Sequence, residues 1–152
     1  MFGIKNIAVL GAGAMGNGIA QVSAQAGYQV VMQDITEEAL QKGMNTIKNS
    51  LSKLASKGKI AAEEVDVILS RISTTLSLED AAKDADLVIE AIPEVLELKL
   101  ETFKRLDAVC KPEAIFGSNT STLPITILAS ATQRPQQVCG IHFMNPVPVM
   151  PG

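Results

Sequence analysis

Tryptophan is absent, and four phenylalanines and one tyrosine are the only aromatic side chains among 152 residues. A protein that grips single-stranded nucleic acid needs rings on which bases stack, and a protein that grips a duplex needs a basic face. The chain has neither: 13 lysines and arginines stand against 16 aspartates and glutamates, a net charge of −3, with a pI of about 5.1. A nucleic-acid partner is excluded on both counts. Histidine occurs once and cysteine twice, without a CxxC pair or a cluster of imidazoles, so neither a metal centre nor a disulfide framework is indicated. Cys110 and Cys139 are expected to be buried free thiols. No apolar run approaches the ~18 residues of a membrane span. The opening MFGIKNIAVLGAG lacks the charged and then long apolar regions of an export signal. The expectation is a cytoplasmic protein without a membrane partner.

At 47% hydrophobic residues the chain can close one core, although an α/β enzyme that also holds a substrate usually needs more. Apolar periodicity sets the element order. Ile7–Leu10 predicts a strand that stops at Gly11. Met15, Ile19, Val22 and Ala26 recur at helical spacing until Gly27. Tyr28–Gln33 predicts a second strand, and Thr36 can cap a long helix whose apolar edge is Leu40, Met44, Ile47, Leu51 and Leu54. Gly58 ends that helix, and a second amphipathic stretch from Ala61 through Val65, Ile68 and Leu69 makes a helical hairpin between strands. The remainder predicts a strand over Ile72–Leu76, a helical turn over Leu78–Lys83, and a buried strand over Leu87–Ile92 with Pro93 as a helix starter. A helix over Val95–Val109, a strand over Ala114–Gly117, a short helix over Pro124–Ser130 and a strand over Val138–Phe143 complete it. Strands alternating with helices imply a doubly wound, mostly parallel α/β sheet of Rossmann type, here with an inserted helical hairpin. Residues 1–152 are expected to form one domain.

The turn GAGAMG sets Gly11, Gly13 and Gly16 in a GxGxxG pattern between a predicted strand and a predicted helix, a context that separates it from a chance match. The first glycine permits the tight turn, the second lets backbone amides reach a pyrophosphate, and the third lets helix and strand pack closely. The amides of Ala14 and Met15 open the helix, where free N–H groups and the helix dipole favour a phosphate. Asp34 ends the second strand, where a carboxylate accepts the ribose hydroxyls of NAD and repels a 2′-phosphate. No lysine or arginine lies between Asp34 and Gln41 to offset that repulsion, so NAD is preferred over NADP, and over FAD, which uses the same motif. A bare tight turn with a solvated acid would also satisfy these residues, but strand, spacing, helix and acid agree on a dinucleotide. They do not name a reaction.

The stretch Ser118-Asn119-Thr120-Ser121, together with Gly140-Ile141-His142-Phe143-Met144-Asn145-Pro146, resembles the S-N-T-S and H-F-x-N-P signatures of 3-hydroxyacyl-CoA dehydrogenases, in particular the bacterial 3-hydroxybutyryl-CoA type. With GAGAMG, Asp34, and Glu94 and Lys99 after LVIEAI, the resemblance extends over nearly the whole chain. It implies that His142 is the general base for the substrate's 3-hydroxyl, a task suited to an imidazole of ordinary pKa ~6.5. It implies that Ser121 orients the substrate oxygen, that Asn119 and Asn145 neighbour the nicotinamide end, and that Glu94 and Lys99 contact the cofactor. Taken singly, Ser121 could cap the following helix and Asn119 could form a turn.

Five lysines (42, 48, 53, 57 and 59) against Glu37 and Glu38 give the first arm of the hairpin a local excess of positive charge. A solvated helix face accounts for this as well as a CoA-phosphate site does. The resemblance assigns Ser50 and Lys57 to the CoA moiety of an acyl-CoA substrate. It also places a supporting glutamate twelve residues beyond His142, past the last residue, Gly152, and a helical C-terminal domain that completes the substrate pocket and a homodimer interface. The expectation is a polypeptide that binds NAD with little turnover alone, with roles in fatty-acid or butyrate metabolism. A stand-alone NAD-binding or sensing module is the alternative, which would have no need of Asn119, Ser121 and His142.

Overall fold

Along β1 (Asn6–Leu10) the side chains of Ile7 and Val9 enter one apolar cluster and those of Ala8 and Leu10 enter another. All four are 5% exposed or less. A strand buried on both faces needs helices on both faces, and its neighbours must pair in parallel. The computed structural model describes residues 4–93, 95–118 and 125–140 and shows this arrangement. Six parallel strands lie in the order β3-β2-β1-β4-β5-β6, with β2 at Gln29–Gln33, β3 at Ile72–Thr75, β4 at Leu87–Glu90, β5 at Ile115–Ser118 and β6 at Val138–Gly140. Ile7 sits opposite Val30 of β2 and Leu87 of β4.

Helices α1 (Ala14–Gln25), α2 (Glu37–Ser56) and α3 (Ala62–Ser70) cover one face, sharing a core of Val9, Ile19, Met32, Ile47, Leu51 and Ile68. The opposite face is covered by α4 (Leu78–Ala82), α5 (Leu96–Val109) and α6 (Ile125–Ala129) around Leu10, Phe103, Leu106, Phe116 and Leu128. Ile47 and Leu51 are fully buried, a transfer worth about 2 kcal/mol for each, so the apolar edge of α2 fixes the hairpin on the sheet. No helix among the described residues is long and apolar enough to cross a membrane.

Local signals ended the elements where the sequence placed them. The Thr36 hydroxyl accepts from the Ala39 amide at 3.1 Å. At the other end of α2, Gly58 takes φ +72°, its amide donates to Ala55 O at 3.0 Å, and the Lys59 amide donates to Leu54 O at 2.9 Å. That double bond pattern is the αL stop that glycine permits. Gly27 closes α1 in the same way, its own amide donating to Ala24 O and that of Tyr28 to Ser23 O.

Three expectations need correction. The β4 strand stops at Glu90 instead of Ile92, because the Glu90 carboxylate accepts the Ile92 amide at 2.8 Å and turns the chain. Pro93 does not open the next helix: the Val95 amide donates to Pro93 O, and α5 starts at Leu96. Cys139 is exposed, whereas Cys110 is buried; Cys139 lies on β6, the outer strand of the sheet among the described residues. The remaining strand and helix ends shift by a residue or two. The segment following Gly140, expected to prolong β6 to Phe143, lies outside the described residues.

Asp86 ties the amino ends of the strands together. Its carboxylate accepts the amides of Lys5 and Asn6 at 2.9 and 3.0 Å and pairs with the Lys111 ammonium. The Lys111 hydrogen bond, then the two backbone donors, hold the Asp86 carboxyl down to about 2.

Candidate functional site

The chain leaves β1 toward one edge of the sheet and leaves β4 toward the other, so their carboxyl ends flank a topological switch point, the place where open α/β sheets bind ligands. A cleft of about 580 Å³ opens there, lined by Gly11, Gly13–Met15, Asp34 and Ile35 on one side and by residues of the β4–α5 segment on the other. A second cleft of about 480 Å³ lies at the opposite, amino ends of the strands, beside Asn6, Gln29 and Asp84, where this fold offers no helix N-terminus.

The three glycines do different work. Gly11 has φ +108°, and a Cβ there would lie 2.5 Å from Ala91 O; its amide donates to Gln33 O at 2.7 Å, binding the turn to the end of β2. A Cβ on Gly16 would lie 1.9 Å from Gly11 O, so α1 can approach the turn only with hydrogen at that position. A Cβ on Gly13 would meet nothing within 4 Å. This is the one position of the three whose missing side chain leaves room for a ligand instead of room for the protein.

Gly13 is also the N-cap of α1, with no side-chain cap and no acid in the first turn. The first N–H groups of a helix lack intrahelical acceptors, so the donors at Ala14, which is exposed, and Met15, which is half-buried, face the cleft with the positive end of the dipole. Asp34 stands beside them. Its Oδ2 accepts the Ala12 amide at 2.9 Å and its Oδ1 the Ile35 amide at 2.7 Å. Each oxygen keeps a lone pair, and the two amides fix the carboxylate's direction. A pyrophosphate over the helix end and a ribose diol on the carboxylate fit this donor and acceptor set.

Beneath the floor lies a polar network that local sequence signals did not single out. Glu90 and Lys99 are both fully buried and pair at 3.1 Å. The Ser118 hydroxyl donates to Glu90 Oε1 at 2.6 Å, and the Ile92 amide donates to Oε2. One carboxylate therefore joins the end of β4, the first turns of α5 and the end of β5. Lys99, which the resemblance assigns to the cofactor, is held inside this network and does not line the cleft. The available signal was an acid at the end of an otherwise apolar strand, LVIE.

On the far wall, Arg105 of α5 lines the cleft and is gripped by Glu79 of α4, with its Nε donating to Oε2 at 3.1 Å and its Nη2 to both oxygens at 2.8 and 3.1 Å. The Arg105 hydrogen bond holds the Glu79 carboxyl below the ordinary carboxylate range.

The structure thus brings Gly11, Gly13, Ala14, Met15, Gly16 and Asp34 together. It does not bring Ser50 and Lys57 to the same cleft: Ser50 Oγ accepts from Gln21 Nε2 at 3.0 Å, tying α2 to α1, and Lys57 is exposed at the C-cap of α2. Glu94, Asn119, Ser121, His142 and Asn145 lie outside the described residues.

Residues 6–151 match the family model described as 3-hydroxyacyl-CoA dehydrogenase, NAD binding domain. The chain is 52% identical over 147 residues to a probable 3-hydroxybutyryl-CoA dehydrogenase of Bacillus subtilis, covering 97% of this chain and 51% of that protein. It is 50% identical over 147 residues to a 3-hydroxybutyryl-CoA dehydrogenase of Bradyrhizobium diazoefficiens, covering 97% of this chain and 50% of that protein. Among solved structures, the (S)-3-hydroxybutyryl-CoA dehydrogenase of Ralstonia eutropha superposes with a TM-score of 0.92 at 44% identity, over 97% of this chain and 52% of that one. The chain spans about half the length of the curated relatives it matches.

Proposed function

The chain belongs to the 3-hydroxyacyl-CoA dehydrogenase family, as its NAD-binding domain, and from that premise we propose that residues 1–152 are the cofactor half of an oxidoreductase interconverting 3-hydroxyacyl-CoA and 3-oxoacyl-CoA. The observation that carries the proposal is the pairing of Gly13 with Asp34. An uncapped helix end stands over open space next to a carboxylate aimed by two backbone amides.

Bound NAD supplies the hydride acceptor. The backbone donors of Ala14 and Met15 hold the pyrophosphate, and the Asp34 carboxylate accepts the two ribose hydroxyls and sets the dinucleotide's register along the cleft. His142 is proposed to take the proton from the substrate's 3-hydroxyl, and Ser121 to donate to the same oxygen and orient it. Asn119 and Asn145 are proposed to flank the nicotinamide end and Glu94 to contact the cofactor, with Lys99 acting from beneath the cleft through its pairing with Glu90. Ser50 and Lys57, on the outer helix, would receive the CoA moiety, where the lysines of α2 offer positive charge to its phosphates. The other half of such an enzyme supplies the second wall of the acyl pocket and the homodimer contact. We place the activity in the cytoplasm.

Calorimetric titration of this chain tests the cofactor assignment. NAD should bind, and Asp34→Ala should weaken binding by roughly ten- to a hundredfold, the loss of one or two hydrogen bonds to a charged acceptor. A chain that is folded by circular dichroism yet binds no NAD, or an Asp34→Ala variant that binds as the parent does, would refute the assignment.

A further inference from the structure

Of the described residues lining the 580 Å³ cleft, two are charged: Asp34 at the end of β2, and Arg105 on α5. A dinucleotide bearing a 2′-phosphate brings close to two extra negative charges, and a site that accepts it supplies an arginine fork to meet them. Asp34 opposes such a ligand by like charge. Arg105 is the cation on this lining that could welcome it, reaching the cleft from a helix some 70 residues along the chain from Asp34; Lys42 lines the adjoining cleft that shares Gly13, Ala14 and Asp34.

Its guanidinium is already engaged. Nε and Nη2 together make three hydrogen bonds to the Glu79 carboxylate, at 2.8–3.1 Å. The Nε–Nη2 edge of the guanidinium is therefore committed to Glu79, and its positive charge is balanced by a carboxylate at hydrogen-bond distance. Glu79 is not itself a lining residue of the cleft. The pair is half-exposed, at 48% and 46% for the two side chains; beside whatever its bidentate geometry adds to folding, it sets the charge that the cleft wall presents.

We infer that Glu79 is a specificity-determining residue: by engaging Arg105 it withholds that cation from a ligand in the cleft, so that rejection of a 2′-phosphorylated dinucleotide is shared between Asp34 and the Glu79–Arg105 pair. The inference rests on the proposal that this cleft holds the adenosine end of NAD. It assigns Asp34 the direct repulsion and Glu79 an indirect role, acting through Arg105.

A cycle of variants of this chain decides it. NADH and NADPH are titrated separately at low ionic strength, following reduced-nicotinamide fluorescence, which no tryptophan in the chain complicates. The variants are Glu79→Gln, Asp34→Ser, the double variant, and the double variant with Arg105→Ala. Glu79→Gln should leave the NADH Kd within about twofold, because Glu79 does not face the cleft. In the Asp34→Ser background the same change should lower the NADPH Kd by about tenfold, the gain of one hydrogen bond to a charged group. Arg105→Ala should erase that gain, and added salt should shrink it. If Glu79→Gln leaves the NADPH-to-NADH ratio unchanged in both backgrounds, or if the gain survives Arg105→Ala, the inference is wrong while the cofactor assignment stands. Failure of the parent chain to bind NADH overturns both.

Discussion

Replacing Gly13 and Gly16 one at a time by alanine should separate ligand binding from folding. At Gly16 the added Cβ would start 1.9 Å from Gly11 O and 2.6 Å from the carbonyl carbon. Both are backbone atoms, so neither can rotate away, and relief requires the first turn of α1 to retreat by about 1 Å or more to reach ordinary contact. That turn is not free to move, because Ile19, Ala20 and Ala24 of the same helix are fully buried in the core. Overpacking of this kind costs about 1–3 kcal/mol, equivalent to a fall in Tm of roughly 3–10 °C for a domain of this size. The retreat also carries the helix-end donors away from the cleft, and loss of two hydrogen bonds to charged phosphate oxygens corresponds to a hundredfold or greater loss of NADH affinity. At Gly13, by contrast, the Cβ meets nothing within 4 Å and the backbone has φ −69°, which alanine adopts without strain. The cost is the poorer N-cap, about 1 kcal/mol at most, or roughly 2–4 °C, while the methyl group intrudes on the space before the helix end and NADH affinity drops at least about tenfold. Thermal melts by circular dichroism and NADH titration measure the two quantities on the same samples. A Gly16→Ala variant with the parent's Tm, or a Gly13→Ala variant with the parent's NADH affinity, would refute the division of labour among the glycines.

The buried pair and the strand-end carboxylate make two further predictions. Glu90→Leu removes the partner of the Ile92 amide and the Ser118 hydroxyl as well as a charge beside Lys99, and should cost about 3–5 kcal/mol in urea unfolding. Lys99→Met leaves those two donors in place, and adding it to Glu90→Leu should recover part of the loss; strictly additive effects would show that the two side chains are not coupled. Asp86 has a carboxyl pKa depressed from 3.8 to about 2, so its contribution is fully present above about pH 4 and is lost as the pH falls toward 2. Its worth at neutral pH is about 1–2 kcal/mol, and Asp86→Asn should be destabilised at pH 7 yet approach the parent's stability near pH 2, a convergence that acid and urea titrations would reveal or exclude.

What the sequence disclosed about the fold was whatever depends on neighbours along the chain. Thr36 caps α2 through an amide three residues away, and Gly27 and Gly58 stop helices through bonds that span five residues or fewer. Continuous apolar runs in β1 and LVIE identified strands, and the alternation of strands with helices implied the parallel, doubly wound sheet before any pairing was known. The GxGxxG turn and Asp34 were legible for the same reason, since strand, turn, helix and second strand form one contiguous βαβ unit. Where the reading failed, a side chain acted on the backbone. Pro93 is a sound helix starter by local rule, but Glu90 captures the Ile92 amide and delays α5 to Leu96. The position of Cys139 on the outer strand among the described residues is a fact of strand order that no window around residue 139 contains.

The charges at the site were the least legible part, and the reason is topological. Glu90 meets Ser118 across 28 positions and Glu79 meets Arg105 across 26, so each partnership exists only once the sheet order is set. Their environments then assign them different work. The Glu90–Lys99 pair is fully buried, where desolvation offsets much of the Coulomb attraction; its effect is to hold three chain segments in one arrangement under the switch point. The Glu79–Arg105 pair is half in water, and the role proposed for it is to set which charge a ligand in the cleft encounters. At the end of α1 the groups placed to meet a pyrophosphate are the backbone donors at Ala14 and Met15. Those donors are fixed by the close approach of Gly16 to Gly11, so the anion site is made of geometry more than of side-chain charge, and the selectivity proposed for it comes from Asp34 directly and from Glu79 through Arg105.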